Sequence, residues 1–344
     1  MKVAIVGDSL TGKSTLLKVL TENNFSRGSG YFSGFGTFIL EDPNLDFLAE
    51  LYESKKKTLL HIDVYDFDGF GKLWKDDKKG EIKNELSGFE ALLCVISDVQ
   101  DEPLGSSFYD LEYKLLLTDL DFIEKRLEFL EKESHKRKVN EREIQLLEKL
   151  DAWLSSEKPL YLMEFSESEN EIMRGYLFLS MLPQIFVFNR HETRVREELP
   201  QEILSKIQEH KFPFFVTSLE IEEELISVPA SERIEILRSF GVEVSVKAGI
   251  SNSIKDVMGI TVFYTVGKSE ARAWYVNRGA TVREAAGKIH SDMERGFIRA
   301  EVIHIEDLKR AGSEKKAREL GLYHLEGKEY IVNDGDVILI RFSV

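Results

Sequence analysis

Residues 3–15 of the chain read VAIVGDSLTGKST. The apolar run Val3–Val6 predicts a buried parallel strand, and the spacing of apolar residues from Thr15 to Leu20 predicts a helix. Between them, residues 7–14 match the pattern G-x-x-x-x-G-K-[ST] in the strand–loop–helix setting that this pattern requires. The segment therefore predicts an α/β domain that opens with a phosphate-binding loop.

The chemistry of phosphate binding explains the spacing in this loop. Glycines at both ends let successive backbone N–H groups face an anion, and the helix start adds its positive dipole end. Lys13 is expected to reach the β- and γ-phosphates, and Ser14 to hold Mg²⁺ through its hydroxyl. The predicted phosphate-binding residues are Gly7, Asp8, Ser9, Leu10, Thr11, Gly12, Lys13, Ser14 and Thr15.

A second strand is predicted at residues 59–66, and it ends in the pattern D-x-x-G at residues 66–69. Asp66 is expected to hold Mg²⁺ through water, and the Gly69 N–H to meet the γ-phosphate. Asp63 and Asp68 compete for the role of the carboxylate. Asp66 is preferred because only it has a glycine three residues further on. Lys13, Asp66 and Gly69 are therefore the predicted catalytic residues.

Phe70 follows this pattern directly. Ras-like enzymes place a glutamine there to orient the attacking water, which phenylalanine cannot do. The residue predicts either slow hydrolysis or another group that positions the water.

Two later strands predict the loops that contact the base. Residues 185–188 lead into Asn189, Arg190, His191 and Glu192, and residues 212–216 lead into Ser218 and Leu219. Guanine-specific enzymes carry N-K-x-D at the first of these loops, so N-x-x-E without the lysine weakens the case for guanine. The predicted base contacts are Asn189, Arg190, Glu192, Ser218 and Leu219. The alternative is that both are ordinary polar loops at strand ends.

Composition limits the classes of function that remain. The 344 residues are 42% hydrophobic and 31% charged, and 46 Lys and Arg against 61 Asp and Glu give a net charge of −15. Such a chain is globular, and any RNA contact must come from a local basic patch. One cysteine, a short apolar start and no stretch of membrane-span length favour a cytoplasmic protein without a membrane partner. No recognition of DNA sequence is expected.

Between Asp98 and Pro183 the apolar pattern becomes helical. Leucines and isoleucines recur every three or four residues over 120–130 and again over 144–154. This spacing predicts two amphipathic helices in an antiparallel hairpin, close to a short coiled coil. The basic tip, at Lys132 and residues 135–138, is either a solvated turn or a contact for RNA.

After Gly259 the chain becomes rich in β-strand signals. Strands are predicted at residues 260–265 and 271–276, followed by a helix over 282–290. Residues 330–332 and 337–342 are predicted to pair through the turn 333–336, NDGD. The region predicts a compact ββ-α-ββ unit.

Together these residues resemble the Obg-like ATPase (YchF) family of translation-factor-class P-loop proteins. The most specific similarity is to that family's TGS domain, and further similarity covers nearly the whole chain. The segments that carry it are 270–274, 285–292, 295–302 and 326–336 in the TGS region, and 42–46, 116–120 and 220–225 elsewhere.

The resemblance implies a P-loop NTPase (GTPase-like) domain, interrupted by an antiparallel helical hairpin and followed by a C-terminal ubiquitin-like β-grasp TGS domain. The implied parts are the NTPase domain at 1–104 and 183–259, the helical insert at 105–182 and the TGS domain at 260–344. It also implies hydrolysis of ATP in preference to GTP through N-x-x-E, with Mg²⁺, and association with the ribosome or ribosomal RNA. The family, too, carries a hydrophobic residue at the position of Phe70.

The chain departs from this family in three places. The family usually has D-I-A-G-L where this chain has D-F-D-G-F at residues 66–70, which adds the carboxylate of Asp68 near the phosphates. The switch-one threonine has no clear counterpart, and Ser29 is the nearest candidate for a metal ligand. A histidine found in some members has no counterpart between Val99 and Asp110.

The first hypothesis is a Mg²⁺-dependent nucleoside triphosphatase that favours ATP and associates with the ribosome in a nucleotide-dependent way. The alternative is a GTP-binding protein that binds the ribosome or RNA with little or no hydrolysis. A GTPase of the Obg type is disfavoured by the missing lysine and aspartate of N-K-x-D.

Overall fold

The computed structural model describes residues 1–75, 78–98, 103–134 and 139–343. They form two compact units. The first unit contains residues 1–38 and 63–253, and the second contains residues 39–62 and 254–344. No helix in the described parts of the chain is long and apolar enough to cross a membrane.

The strands, numbered along the chain, are β1 Lys2–Val6, β2 Phe25–Arg27, β3 Phe32–Ile39, β4 Lys57–Thr58, β5 His61–Phe67, β6 Ala91–Ser97, β7 Gln184–Asn189, β8 Phe214–Thr217, β9 Ile260–Val266, β10 Ala271–Asn277, β11 Phe297–His304, β12 His324–Glu326 and β13 Asp336–Phe342. The α-helices are α1 Lys13–Thr21, α2 Pro43–Leu51, α3 Gly69–Lys75, α4 Lys79–Glu85, α5 Leu104–Ser134, α6 Glu141–Leu154, α7 Glu167–Met173, α8 Gln201–His210, α9 Leu219–Glu224, α10 Ala230–Phe240, α11 Val246–Val257, α12 Val282–Ile289, α13 Ser291–Arg295, α14 Ile305–Ala311 and α15 Glu314–Glu319.

The first unit is built on a sheet with the strand order β2-β3-β5-β1-β6-β7-β8. The pairs β5–β1, β1–β6, β6–β7 and β7–β8 are parallel, and β2–β3 is antiparallel. Every residue of β6 is buried, as expected for a central parallel strand. Because parallel strands share one carboxyl edge, the residues that follow β1, β5, β7 and β8 lie along the same side of the sheet.

Helices α5 and α6 pack against each other through the residues that the periodicity singled out. Ile123, Leu130, Leu147, Leu150 and Leu154 are buried in one apolar cluster. The basic segment 135–138, predicted as a turn or an RNA contact, lies outside the described residues.

The second unit is built on a sheet with the order β12-β11-β13-β9-β10-β4. Alternate residues of its strands point to opposite faces and enter two separate apolar clusters. Tyr264 of β9 faces one cluster and Phe263 the other. Both faces of the sheet therefore contribute to a core.

Residues 39–62 belong to this second unit, although the sequence-based division places them in the first part of the NTPase domain. Leu45 and Leu48 of α2 are buried in the same cluster as Tyr264, whose hydroxyl donates to Asp42 Oδ2 at 2.8 Å. β4 extends the sheet as a parallel neighbour of β10.

The hairpin predicted between residues 330–332 and 337–342 does not form. Ile331 makes an isolated bridge to Thr281, while β13 pairs with β11 in antiparallel and with β9 in parallel orientation. The turn itself is present. Gly335 has a φ of 90°, and Asp336 Oδ2 accepts from the Asn333 N–H at 2.9 Å.

Candidate nucleotide site

The predicted phosphate loop connects β1 to α1, and both of its glycines are required by geometry. Gly7 has a φ of 149°, and a Cβ built on it would lie 2.4 Å from the Val95 carbonyl oxygen. Gly12 has a φ of 101°, and its Cβ would lie 2.6 Å from Asn189 Nδ2. Any side chain at either position would distort the loop.

Lys13 begins α1 and is only 5% exposed. Its Nζ donates to the Asp8 carbonyl oxygen at 2.6 Å and lies 3.7 Å from Asp68 Oδ1. Burial lowers the pKa of Lys13, and the three nearby carboxylates of Asp66, Asp68 and Asp8 oppose that effect. The ammonium group is therefore held at the loop by acceptors alone.

Ser14 and Asp66 form the pair expected of a magnesium site. Ser14 Oγ donates to Asp66 Oδ2 at 2.5 Å, and the buried Asp66 Oδ1 has no hydrogen-bond partner. Burial raises the pKa of Asp66, against the Ser14 hydrogen bond and the Lys13 charge. The Ser14 hydroxyl and the unpartnered Asp66 Oδ1 are oxygen ligands of the kind that a hard divalent cation such as Mg²⁺ prefers.

The two competing carboxylates occupy different places. Asp63 lies three residues before Asp66 on β5, where it pairs in register with Lys2 of β1, and its Oδ1 accepts from Thr37 Oγ1 at 3.4 Å. Asp68 lies near Lys13, as given above. The structure therefore brings Asp66 and Asp68, but not Asp63, to the loop.

The residues after Asp66 are tied to the segment before β3. The N–H groups of Asp68 and Gly69 donate to the Tyr31 carbonyl oxygen at 2.9 and 3.2 Å. Ser29 is exposed in the same segment, and its carbonyl accepts from the Phe32 N–H at 3.2 Å. Among the contacts of the described residues, none joins Ser29 to Ser14 or Asp66, and its role as a third metal ligand stays a prediction.

Phe70 is fully buried in the core of the first unit. Its ring meets that of Phe67 edge to face, with 6.4 Å between centroids. A side chain in this position faces the core and not the phosphate loop.

Asn189 ends β7 and links the two predicted nucleotide loops. Its Nδ2 donates to the Thr11 carbonyl oxygen at 2.9 Å, and its Oδ1 accepts from the Leu219 N–H at 2.9 Å. Ser218 and Leu219 are buried beside it at the start of α9. The structure thus brings both loops against the phosphate loop.

Arg190 was predicted to contact the base, but its guanidinium is buried and already occupied. Nε donates to Asp98 Oδ2 at 2.9 Å, and Nη1 and Nη2 donate to the carbonyl and carboxylate oxygens of Glu197 at 2.8 and 2.9 Å. We therefore infer a structural role for Arg190. Glu192, two residues further on, is exposed at the start of a 3₁₀ turn.

Lys114 is a site residue that the sequence reasoning missed. It lies on α5, where its Nζ contacts Asp8 Oδ1 of the phosphate loop at 3.1 Å and also contacts Asp110. The i,i+4 spacing of Asp110 and Lys114 predicts their pairing. No local signal relates Lys114 to Asp8, which is 106 residues away in the sequence.

Comparison with known proteins finds relatives along the whole chain. Residues 260–343 match the family model YchF-GTPase_C, described as a protein of unknown function (DUF933). The chain is 30% identical over 370 residues to the ribosome-binding ATPase YchF of Bacillus subtilis (strain 168), and the match covers 100% of both. It is 28% identical over 375 residues to Obg-like ATPase 1 of Oryza sativa subsp. japonica, covering 100% of this chain and 92% of that protein.

The structure of the YchF GTPase from Schizosaccharomyces pombe is similar in fold. Its TM-score is 0.81 at 23% identity, and the match covers 99% of this chain and 97% of that one. This likeness supports a mixed α/β fold of the P-loop type. The end-to-end identity with the Bacillus protein confirms the resemblance predicted from the sequence, and the chain belongs to the YchF family of Obg-like ATPases.

Proposed function

We propose that this protein is a Mg²⁺-dependent nucleoside triphosphatase that hydrolyses ATP in preference to GTP and associates with the ribosome. The observation that carries the proposal is the strand–loop–helix at residues 2–21, with Lys13 buried at the loop and Ser14 paired with Asp66. The names of the Bacillus and rice relatives, a ribosome-binding ATPase and an Obg-like ATPase, support the same activity and partner.

Each element of the site has a role in this proposal. The amides of residues 7–15 and the Lys13 ammonium bind the β- and γ-phosphates, and Ser14 and Asp66 hold the metal. Mg²⁺ would neutralise charge that develops on the phosphates during transfer. Lys114 screens the Asp8 carboxylate from the incoming phosphates.

Base selection is assigned to the loops after β7 and β8. The Asn189 amide is occupied by the Thr11 carbonyl and the Leu219 N–H, so it positions the loops. Glu192, three residues further along the chain, is exposed, and we assign it the role of reading the base. Adenine offers an N6 amino donor where guanine offers O6, which suits a carboxylate acceptor.

The rate of hydrolysis is expected to be low in the isolated protein. Phe70 lies in the core and has no polar atom with which to orient water. We further propose that α5 and α6 form a helical insert and that residues 260–344 form a TGS β-grasp. One of these parts would carry the ribosome contact.

Isothermal calorimetry with ATP, GTP and Mg²⁺ tests the proposal. Lys13→Ala should abolish binding of both nucleotides, because it removes the ammonium that grips the phosphates. Lys18→Ala is the matched control, since Lys18 lies on the same helix but pairs with Glu223 at 2.6 Å. Unchanged affinity in Lys13→Ala would overturn the site, and GTP binding tenfold tighter than ATP would overturn the assignment of Glu192.

Cosedimentation with ribosomes and a phosphate-release assay test the rest. We expect ribosome association to differ between the triphosphate- and diphosphate-bound protein, and phosphate release to depend on Lys13. A protein that binds nucleotide but releases no phosphate, with or without ribosomes, would contradict the enzymatic part alone.

A further inference from the structure

The carboxylate of Asp68 lies close to the ammonium group of the phosphate loop. Its Oδ1 is 3.7 Å from Lys13 Nζ, and that lysine is the cation assigned to the β- and γ-phosphates. Asp68 is also one of the positions where the chain departs from the D-I-A-G-L pattern usual in its family. We propose that Asp68 is a specificity-determining residue, which occupies Lys13 until a γ-phosphate displaces it and so sets the affinity for triphosphate relative to diphosphate.

The number of N–H donors on Lys13 explains why a diphosphate and a triphosphate should differ in their effect on the Lys13–Asp68 contact. A lysine ammonium has three N–H donors. One is used by the Asp8 carbonyl oxygen at 2.6 Å. If a second binds the β-phosphate, the third is left for either Asp68 or the γ-phosphate. A diphosphate is therefore compatible with the Lys13–Asp68 contact, and a triphosphate is not.

Charge acts in the same direction. Three carboxylates already surround Lys13, those of Asp8, Asp66 and Asp68. Asp8 is balanced by Lys114 and Asp66 is bonded to Ser14. Asp68 is the carboxylate whose contact with Lys13 a γ-phosphate would replace. The arriving phosphate adds negative charge at short range, so the side chain of Asp68 must move away.

The backbone beside Asp68 holds it in place. Its own N–H and that of Gly69 donate to the Tyr31 carbonyl oxygen, at 2.9 and 3.2 Å. A Cβ on Gly69 would lie 2.8 Å from Tyr31 Cβ, so the two segments approach as closely as a glycine permits. The Tyr31 hydroxyl donates to Glu81 Oε2 of α4 at 2.9 Å. Tyr31 thus joins the Asp68–Gly69 segment to α4.

Displacement of Asp68 therefore has a defined consequence. If the Gly69 N–H contacts the γ-phosphate, as the sequence predicts, this N–H must leave the Tyr31 carbonyl oxygen. Both changes occur in the same segment: the Asp68 carboxylate loses its contact with Lys13 Nζ, and the Gly69 N–H loses its hydrogen bond to the Tyr31 carbonyl oxygen. A third phosphate offers an acceptor to each of the two donors that are released, the Lys13 ammonium and the Gly69 N–H.

The inference rests on the proposed nucleotide site, and its test separates the two. The affinities of ADP and of a non-hydrolysable ATP analogue, each with Mg²⁺, are measured by calorimetry for wild type, Asp68→Asn and Asp68→Ala. Asp63→Asn is the matched control, because it makes the same charge change five residues earlier, on β5, where Asp63 pairs in register with Lys2 of β1. Asp68→Asn preserves size, and retained ADP binding reports an intact site in either variant.

We expect both Asp68 variants to bind the ATP analogue at least about tenfold more tightly than wild type, with ADP affinity changed less than about threefold. Asp63→Asn should leave both affinities unchanged. A triphosphate-to-diphosphate affinity ratio equal to that of wild type in both Asp68 variants overturns the inference and leaves the proposed function standing. Absence of nucleotide binding in wild type overturns both.

Discussion

Asn189 is expected to hold the phosphate loop in place, and its loss should destabilise the folded protein. Its buried amide bonds the Thr11 carbonyl oxygen and the Leu219 N–H, each at 2.9 Å. Asn189→Ala removes both bonds and leaves two main-chain groups without these partners. An unsatisfied buried polar group costs about 1–3 kcal/mol, so two of them should lower the free energy of unfolding by about 2–6 kcal/mol.

Equilibrium unfolding in urea, followed by far-ultraviolet circular dichroism, measures this change. The midpoint should move to lower urea while the slope stays constant, because the surface exposed on unfolding is the same. Glu192→Ala is the control from the same loop, and its exposed side chain should change the free energy of unfolding by less than about 0.5 kcal/mol. An Asn189→Ala variant within that same margin of wild type would refute the reasoning.

Nucleotide affinity provides an independent measurement on the same variants. Since the phosphate loop serves every nucleotide, Asn189→Ala should weaken ATP and GTP by similar factors. Glu192→Ala should alter the ratio between them. A loss in Asn189→Ala confined to one nucleotide would show that Asn189 reads the base.

Two further predictions concern the core of the first unit. Phe70→Gln should lower the free energy of unfolding by about 3–5 kcal/mol and should not speed phosphate release, because the side chain faces the core; Phe70→Leu should cost less. Urea unfolding and phosphate release measure both effects, and a stable, faster Phe70→Gln enzyme would contradict this placement. Burial raises the pKa of Cys94 far above its ordinary value of 9.0, so the thiol stays protonated in the folded protein. The contribution of this protonated thiol to the free energy of unfolding is complete below about pH 9. It declines above that pH, where the thiol ionises in the unfolded chain. The slope of the unfolding free energy against pH should therefore differ between wild type and Cys94→Ala only above about pH 9. Rapid labelling of the folded protein by a thiol reagent at about pH 8 would show that Cys94 is accessible.

The phosphate loop was predictable because its information is local. Two glycines at fixed spacing determine the curl of the backbone, and the flanking apolar runs determine the strand and helix on either side. The same holds for the turn at residues 333–336, where Gly335 supplies the positive φ that the turn needs. In each case neighbouring residues settle the conformation.

Strand partners and unit boundaries were less predictable, because they depend on distant residues. The turn before β13 suggested pairing with residues 330–332, but β13 lies between β11 and β9. Similarly, nothing local in residues 39–62 indicates which core they join. The Asp42–Tyr264 hydrogen bond and the β4–β10 pairing, more than 200 residues apart in sequence, place them in the second unit.

Among the site residues, too, those set by local sequence were predictable and those set by distant contacts were not. Lys13, Ser14 and Asp66 were predictable from motif spacing, and the structure brings them together. The motif position of Arg190 suggests the base, whereas the fold places its guanidinium against Asp98 and Glu197, which no local pattern indicates. Tyr31 has no motif, and only the fold reveals that its carbonyl receives the Asp68 and Gly69 N–H groups.

These contacts divide the site into a rigid part and an exchangeable part. The loop that we propose binds the β-phosphate is held by the close approach of Gly7 to Val95 and by the two hydrogen bonds of Asn189. On the γ-phosphate side, Asp68 and Gly69 are held by an ionic contact and two main-chain bonds that a phosphate could replace. A diphosphate would bind a loop that is already formed, whereas a triphosphate would also have to exchange these contacts. Binding or loss of the third phosphate would therefore change the hydrogen bonds of Tyr31, whose hydroxyl is bonded to Glu81 of α4.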